Sequence, residues 1–307
     1  MRRFLWFFVL LILARSIFAA PVVLTSIQPL QLIASEILGE QGTSEVLLPP
    51  GASPHFFTLR PSDSRRFAKA DAFFWIGPDM ENFLVKLAAR RPEHSHAVQH
   101  LPGLELLYYN GGGADGHAAL QHDGQPAVLR QHDHHHLPGG LDAHLWLSSL
   151  NARIIADYMA QVFARLQPDS ADHYQANLQA FNQRLDRLDQ ELGELLLPVR
   201  KKPFFVFHEA FNYLERTYGL QHRGVLTLGA EVQPGARHVQ QMRVALEQAG
   251  ASCIFTEPPA PPRLAESLAR ELPVRLQELD PLGSKADNYA ELLRNLAHDM
   301  QQCLSDL

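Results

Sequence analysis

Three histidines stand apart from the others in this 307-residue chain. His55 lies in the turn-rich stretch PPGASPHFF, after the apolar run EVLLPP. His144 is alone in DAHLWLS, in front of a helix-like run, and His208 closes the extended run FFVF. Asp280 closes a further run, VRLQEL, before the turn PLG. Open α/β sheets bind ligands beyond the carboxyl ends of their strands, and these positions pass that filter from both halves of the sequence. Three neutral imidazoles suit zinc, with one position left for water or for a carboxylate such as Asp280; manganese would favour more oxygen donors. A metal-bound imidazole usually donates its other N–H to a carboxylate or carbonyl, and Asp63, Asp142 and Glu209 lie near the three histidines in sequence.

A denser group occurs in QHDHHHLPGG, with His132, His134, His135 and His136. It belongs to the segment 94–140, rich in Gly, His, Asp and Gln, which also carries His94, His96, His100, His117 and His122. Most of this segment cannot bury enough apolar surface to order itself, and the run LELLYY is its one candidate strand. Ordering a flexible loop around a metal costs entropy, so such a cluster binds more weakly than a preformed site. Protonation of its imidazoles weakens it further in mild acid. The expectation is a structured site at the lone histidines and an accessory metal-binding loop at His132, His134, His135 and His136.

The elements that must position these residues alternate. Runs such as PVVLTS, DAFFWIG, KPFFVFH, RGVLTLG and ASCIFTEP read as strands, and each precedes an amphipathic helical run. MENFLVKLAAR after DAFFWIG is one such helix. This βα order predicts mostly parallel sheets. Between two such halves lies a single helix over about 171–197, whose stripe Tyr174, Leu178, Phe181, Leu185, Leu188, Leu192 and Leu195 steps by four and three. The expected organisation is an N-terminal α/β lobe over 21–169, including the irregular segment 94–140, a connecting helix over 170–198 and a C-terminal α/β lobe over 199–307.

Composition narrows the function classes. Hydrophobic residues make up 46% of the chain, which supports a large core. The formal charge is -6, with no basic stripe, against a nucleic-acid partner. The first 20 residues have Arg2 and Arg3, an apolar run from Phe4 to Ala14 and small residues at Ala19 and Ala20, the layout of a secretory signal peptide. A retained membrane anchor is the alternative. No cysteine follows the cleavage region, so a lipid anchor is not expected. Two cysteines, Cys253 and Cys303, read in an exported chain as one disulfide, with two buried thiols as the other possibility.

Taken together, LLPPGASPHFFTLRPSD, DAHLWLS, FFVFHEAFNYLERTYGL and ELDPLG resemble the ZnuA-like solute-binding proteins of zinc ABC importers. The resemblance covers nearly the whole chain after residue 20, with the histidine-rich insertion, the long helix and the C-terminal cysteine pair. It implies that His55, His144 and His208 bind zinc in a cleft between the lobes. Asp280 maps to a metal ligand of related manganese binders. Some relatives carry a glutamate just before the first histidine, where this chain has Pro54. The resemblance further implies a monomeric periplasmic carrier whose partners are a zinc ABC permease and its ATPase.

Three other readings compete: a manganese or broader divalent-metal carrier, a metal-binding adhesin, and a zinc enzyme. The enzyme reading lacks motif support. His208-Glu209-Ala210-Phe211-Asn212 departs from H-E-x-x-H because Asn212 replaces the second histidine. No zinc-deaminase pattern, nucleophile elbow or P-loop occurs in the sequence.

Overall fold

The computed structural model describes residues 20–109, 139–227, 234–258 and 263–307. The first half holds β1 (Val22–Thr25), α1 (Gln28–Leu38), β2 (Thr43–Val46), α2 (Pro61–Lys69), β3 (Ala72–Trp75), the single turn α3 (Val85–Ala88), β4 (Ser95–Ala97) and α4 (Ser149–Leu166). α5 (Ala171–Leu196) follows. The second half holds β5 (Phe204–Val206), α6 (Asn212–Tyr218), α7 (Ala236–Ala249), β6 (Ser252–Thr256), α8 (Arg263–Glu271), β7 (Val274–Glu278) and α9 (Tyr289–Ser305). The strands form two sheets, ordered β2-β1-β3-β4 and β5-β6-β7, and every ladder is parallel.

Local chemistry sets the element ends. Pro61 opens α2 at a position that needs no N–H donor. The Asp63 carboxylate then accepts the Arg60 N–H at 2.8 Å, closing the first turn. Asp63 therefore serves as a helix cap. Ser148 accepts the Asn151 N–H to start α4, and Asn288 accepts the Glu291 N–H to start α9. Gly219 ends α6 with φ of 69°, a left-handed conformation that glycine adopts without steric cost.

α5 is the spine. Its 26 residues run about 39 Å, and it packs on α1 and α4 of the first half and α9 of the second. Its buried stripe is Tyr174, Leu178, Phe181, Leu185, Leu188, Leu192 and Leu196. Leu195 is only half-buried. The inward face drifts with the 3.6-residue period, so a step of four, to Leu196, replaces the step of three that the sequence suggested. One hydrophobic core runs through both halves, from Val23 to Leu304. The halves are further joined by Trp146, whose indole N–H donates to the Pro281 carbonyl at 2.7 Å, and by Tyr289, whose hydroxyl donates to the Trp146 carbonyl.

Three expectations need correction. The irregular segment begins later than residue 94: Ser95–Ala97 form an edge strand on β3. His94 bonds the Asp71 carbonyl, while His96 stacks on Phe74 at 4.9 Å and bonds the Tyr158 hydroxyl. Backbone pairing needs no apolar side chain, which is why composition hid this strand. In LELLYY only Tyr108 makes a bridge, to Leu141. The helix expected in MENFLVKLAAR is a 3₁₀ turn at Asn82–Leu84 running into α3. The described part of RGVLTLG runs parallel along β5 as expected, through the Val225–Val206 bridge and the N–H groups of Arg223, Leu226 and Thr227, which donate to the Phe204, Val206 and Phe207 carbonyls. Residues 1–19 of the signal segment and His117, His122, His132, His134, His135 and His136 lie outside the described residues.

Cys253 and Cys303 form a disulfide, 50 residues apart in sequence. It ties the start of β6 to the last turn of α9. Among the described residues, no helix is long and apolar enough to cross a membrane.

Candidate metal site

His55, His144 and His208 meet between the two sheets. One ring nitrogen from each lies within 4.8 Å of the others, and all three residues are buried. His144 Nε2 and His208 Nε2 are 3.3 Å apart, and the His55 ring centroid is 5.3 Å and 5.6 Å from those of His144 and His208. Among the described residues this is the one group of histidine, cysteine or carboxylate side chains spaced to share a metal ion.

Each histidine is placed by a different device. His55 follows a tight turn in which the Ala52 N–H bonds the Pro49 carbonyl, with Gly51 at φ of 76°. Its own N–H donates to Ser53 Oγ. His208 lies two residues past β5; Phe207 still pairs with Phe255 of the neighbouring strand, and a turn from the His208 carbonyl to the Ala210 N–H redirects the chain. His144 precedes a 3₁₀ turn, Leu145–Leu147, anchored by the buried Trp146.

Buried carboxylates stand behind two of the rings. Asp142 Oδ1 lies 2.8 Å from His144 Nδ1 and also accepts the His144 backbone N–H and the Tyr109 hydroxyl. Glu257, the residue after β6, places Oε1 2.7 Å from His208 Nδ1. A carboxylate at Nδ1 keeps that proton there and leaves the Nε2 lone pair for an electron-pair acceptor. Burial is the largest single influence on His208 and opposes its imidazolium form, but the carboxylates of Glu257, Asp142 and Glu209 together outweigh it, Glu257 most of all, so its pKa rises above the ordinary value.

The other candidates are used differently. Asp280 does not join the group. Its Oδ1 accepts the N–H groups of Leu282 and Gly283, and its Oδ2 accepts the N–H and hydroxyl of Ser284. The carboxylate is thus engaged in its own turn, on the wall of a cleft shared with Ile27, Leu48, Pro50 and Pro258. Glu209 accepts a hydrogen bond from Asn212 rather than from a ring. Sequence reading missed Glu257. The available signal was a carboxylate directly after the buried run SCIFT, the same strand-end position that marked His208.

Comparison with known proteins fits this geometry. The model of the ZnuA family, described as zinc-uptake complex component A, periplasmic, matches residues 23–303. The chain belongs to this family. The ZnuA high-affinity zinc uptake system protein of Yersinia pestis is 36% identical over 298 residues, covering 93% of this chain and 92% of that protein. Its counterpart from Brucella suis biovar 1 (strain 1330) is 34% identical over 305 residues, covering 92% and 91%. Among solved structures, a ZnuA crystal structure aligns with a TM-score of 0.77 at 26% identity, covering 93% of this chain and all of that one. A ZnuA deletion mutant with zinc bound aligns at 0.74, also at 26% identity, covering 93% and 98%. The ZnuA family thus accounts for the two parallel sheets and the long helix.

Proposed function

We propose that this protein captures zinc between its two halves in the periplasm and delivers it to a zinc ABC permease powered by a companion ATPase. The observation that carries the reading is the convergence of His55, His144 and His208, from three distant segments, in a chain of the ZnuA family. In this reading their ring nitrogens replace water around the ion. Asp142 and Glu257 supply two buried negative charges that balance the dication without entering its coordination sphere. The fourth position is left to water, since Pro54 has no donor and Asp280 is engaged in its turn.

Zinc is favoured over manganese because the donors that converge are nitrogens. The chain acts as a carrier and not as an enzyme: the nearest carboxylates are committed to Nδ1 atoms, and Asn212 stands where a metalloprotease motif needs histidine. Export by the first 20 residues and an accessory metal-binding role for His132, His134, His135 and His136 complete the proposal. The test is growth of a bacterium lacking its own zinc carrier in zinc-poor medium. This chain should restore growth when its permease is supplied, and the His208→Ala form should not. Equal rescue by both would overturn the reading.

A further inference from the structure

One motif residue is left unexplained by zinc capture: Asn212, which breaks the H-E-x-x-H pattern. Its side chain lies beside the site, bonded to the carboxylate that stands behind His144. The amide nitrogen donates to Asp142 Oδ2 and to Glu209 Oε1, each at 3.1 Å. A side-chain amide carries two N–H donors, one for each of these bonds, and no charge. One group thereby holds the carboxylate behind His144 and the residue next to His208. An aspartate here would add a third anion.

The location matters as much as the bonds. Asn212 opens α6, which belongs to the second half, while Asp142 belongs to the first. The next residue, Tyr213, donates its hydroxyl to the Asp142 carbonyl at 2.8 Å and accepts the Leu107 N–H at 3.0 Å. One turn later, Arg216 pairs with Glu105 at 2.9 Å. The start of α6 is thus fastened to the strip that carries Asp142. On that carboxylate, Oδ1 takes His144 and Tyr109, and Oδ2 takes Asn212. Rotating the carboxylate to release the His144 ring requires breaking the bond from α6.

We propose that Asn212 is a positioning residue of the zinc site: its amide, reaching from α6 to Asp142, fixes the carboxylate that orients His144 and so slows release of the ion. The proposal rests on the zinc-capture reading. It also assigns the contact between the two halves a part in retention, because the same amide spans both.

The experiment measures zinc release and uptake rates of the purified chain by stopped-flow with a competing chelator. Asn212→Leu keeps side-chain volume and removes both donors. Losing the carboxylate behind a metal-bound imidazole typically weakens metal binding by about 10–100-fold, which is the upper bound for freeing Asp142. The loss is expected mainly in the release rate, where most affinity differences among variants of one site lie. Asn212→Ala, which places no apolar bulk beside the carboxylates, should act in the same direction. In the Asp142→Ala background Asn212→Leu should add less than about 2-fold, because its effect runs through Asp142. Release within about 2-fold of the parent in the folded Asn212 variants would overturn the proposal, as would an undiminished effect without Asp142. Failure of the parent chain to bind zinc at His144 would instead overturn the capture reading, and the proposal with it.

Discussion

Replacing Glu257 with glutamine tests how the buried carboxylates act on the site. Glu257 is 5% exposed, and its oxygen is 2.7 Å from His208 Nδ1. Glutamine keeps the shape and removes the charge. Losing a carboxylate behind a metal-bound imidazole costs about 10–100-fold in affinity, or about 1.4–2.8 kcal/mol. The same substitution has an opposing effect in acid. Glu257 is the main group raising the His208 pKa against the cost of burial, so the parent site must expel a proton to take zinc at a higher pH than the variant does. The affinity gap between the parent and the Glu257→Gln variant should therefore be widest near about pH 8 and narrow steadily towards about pH 5.5. Chelator competition across that range measures both quantities. A gap that stays constant or widens in acid would refute the argument that one carboxylate both supports the ligand and raises its proton affinity.

Three further outcomes concern the frame that holds the site. Reducing the Cys253–Cys303 bond opens a loop spanning 50 residues and should lower unfolding stability by about 4 kcal/mol in the chain-entropy model, read from denaturant midpoints with and without reductant. Burial pushes the fully buried Glu81 carboxyl up to about 7, opposed by the polar Ser26 side chain nearby and by the bonds from the Ile76 and Gly77 N–H groups. The folded chain then holds a proton that the unfolded chain has lost, so stability should fall by up to about 3 kcal/mol as pH rises from about 4.5 through 7. Glu81→Gln should flatten that slope in urea titrations. His222 has the same sign from another cause: burial lowers its pKa, but Glu215, 2.9 Å from Nδ1, raises it further. Its contribution should be complete below about pH 6.5 and disappear as pH rises through the higher folded value, a loss that His222→Gln should abolish in melting temperatures.

What the sequence revealed depends on which forces leave a local trace. The parallel strands were legible because βα alternation and buried runs such as AFFW follow from burial on both faces. The stripe of α5 was legible through its period, apart from the shift from Leu195 to Leu196. His55, His144 and His208 were found by strand-end and helix-mouth positions, and the structure brings them together. Asp142 was a sequence neighbour that proves to hold His144, whereas Asp63 went to a helix cap. Asp280 looked equivalent in sequence, yet the turn that follows it consumes its carboxylate. Glu257 and β4 were missed for one reason: their partners, His208 and β3, are distant in sequence, and neither residue type announces such a pairing.

The most direct measurement is calorimetric titration of the metal-stripped chain lacking residues 1–20 with zinc, under manganese competition. It should be run beside the chain lacking 110–138 and the triple variant His55→Ala, His144→Ala, His208→Ala. The account predicts one tight zinc event that manganese does not displace, that survives the deletion and that vanishes in the triple variant. Tight binding that persists without the three histidines, or that disappears with segment 110–138, would contradict it.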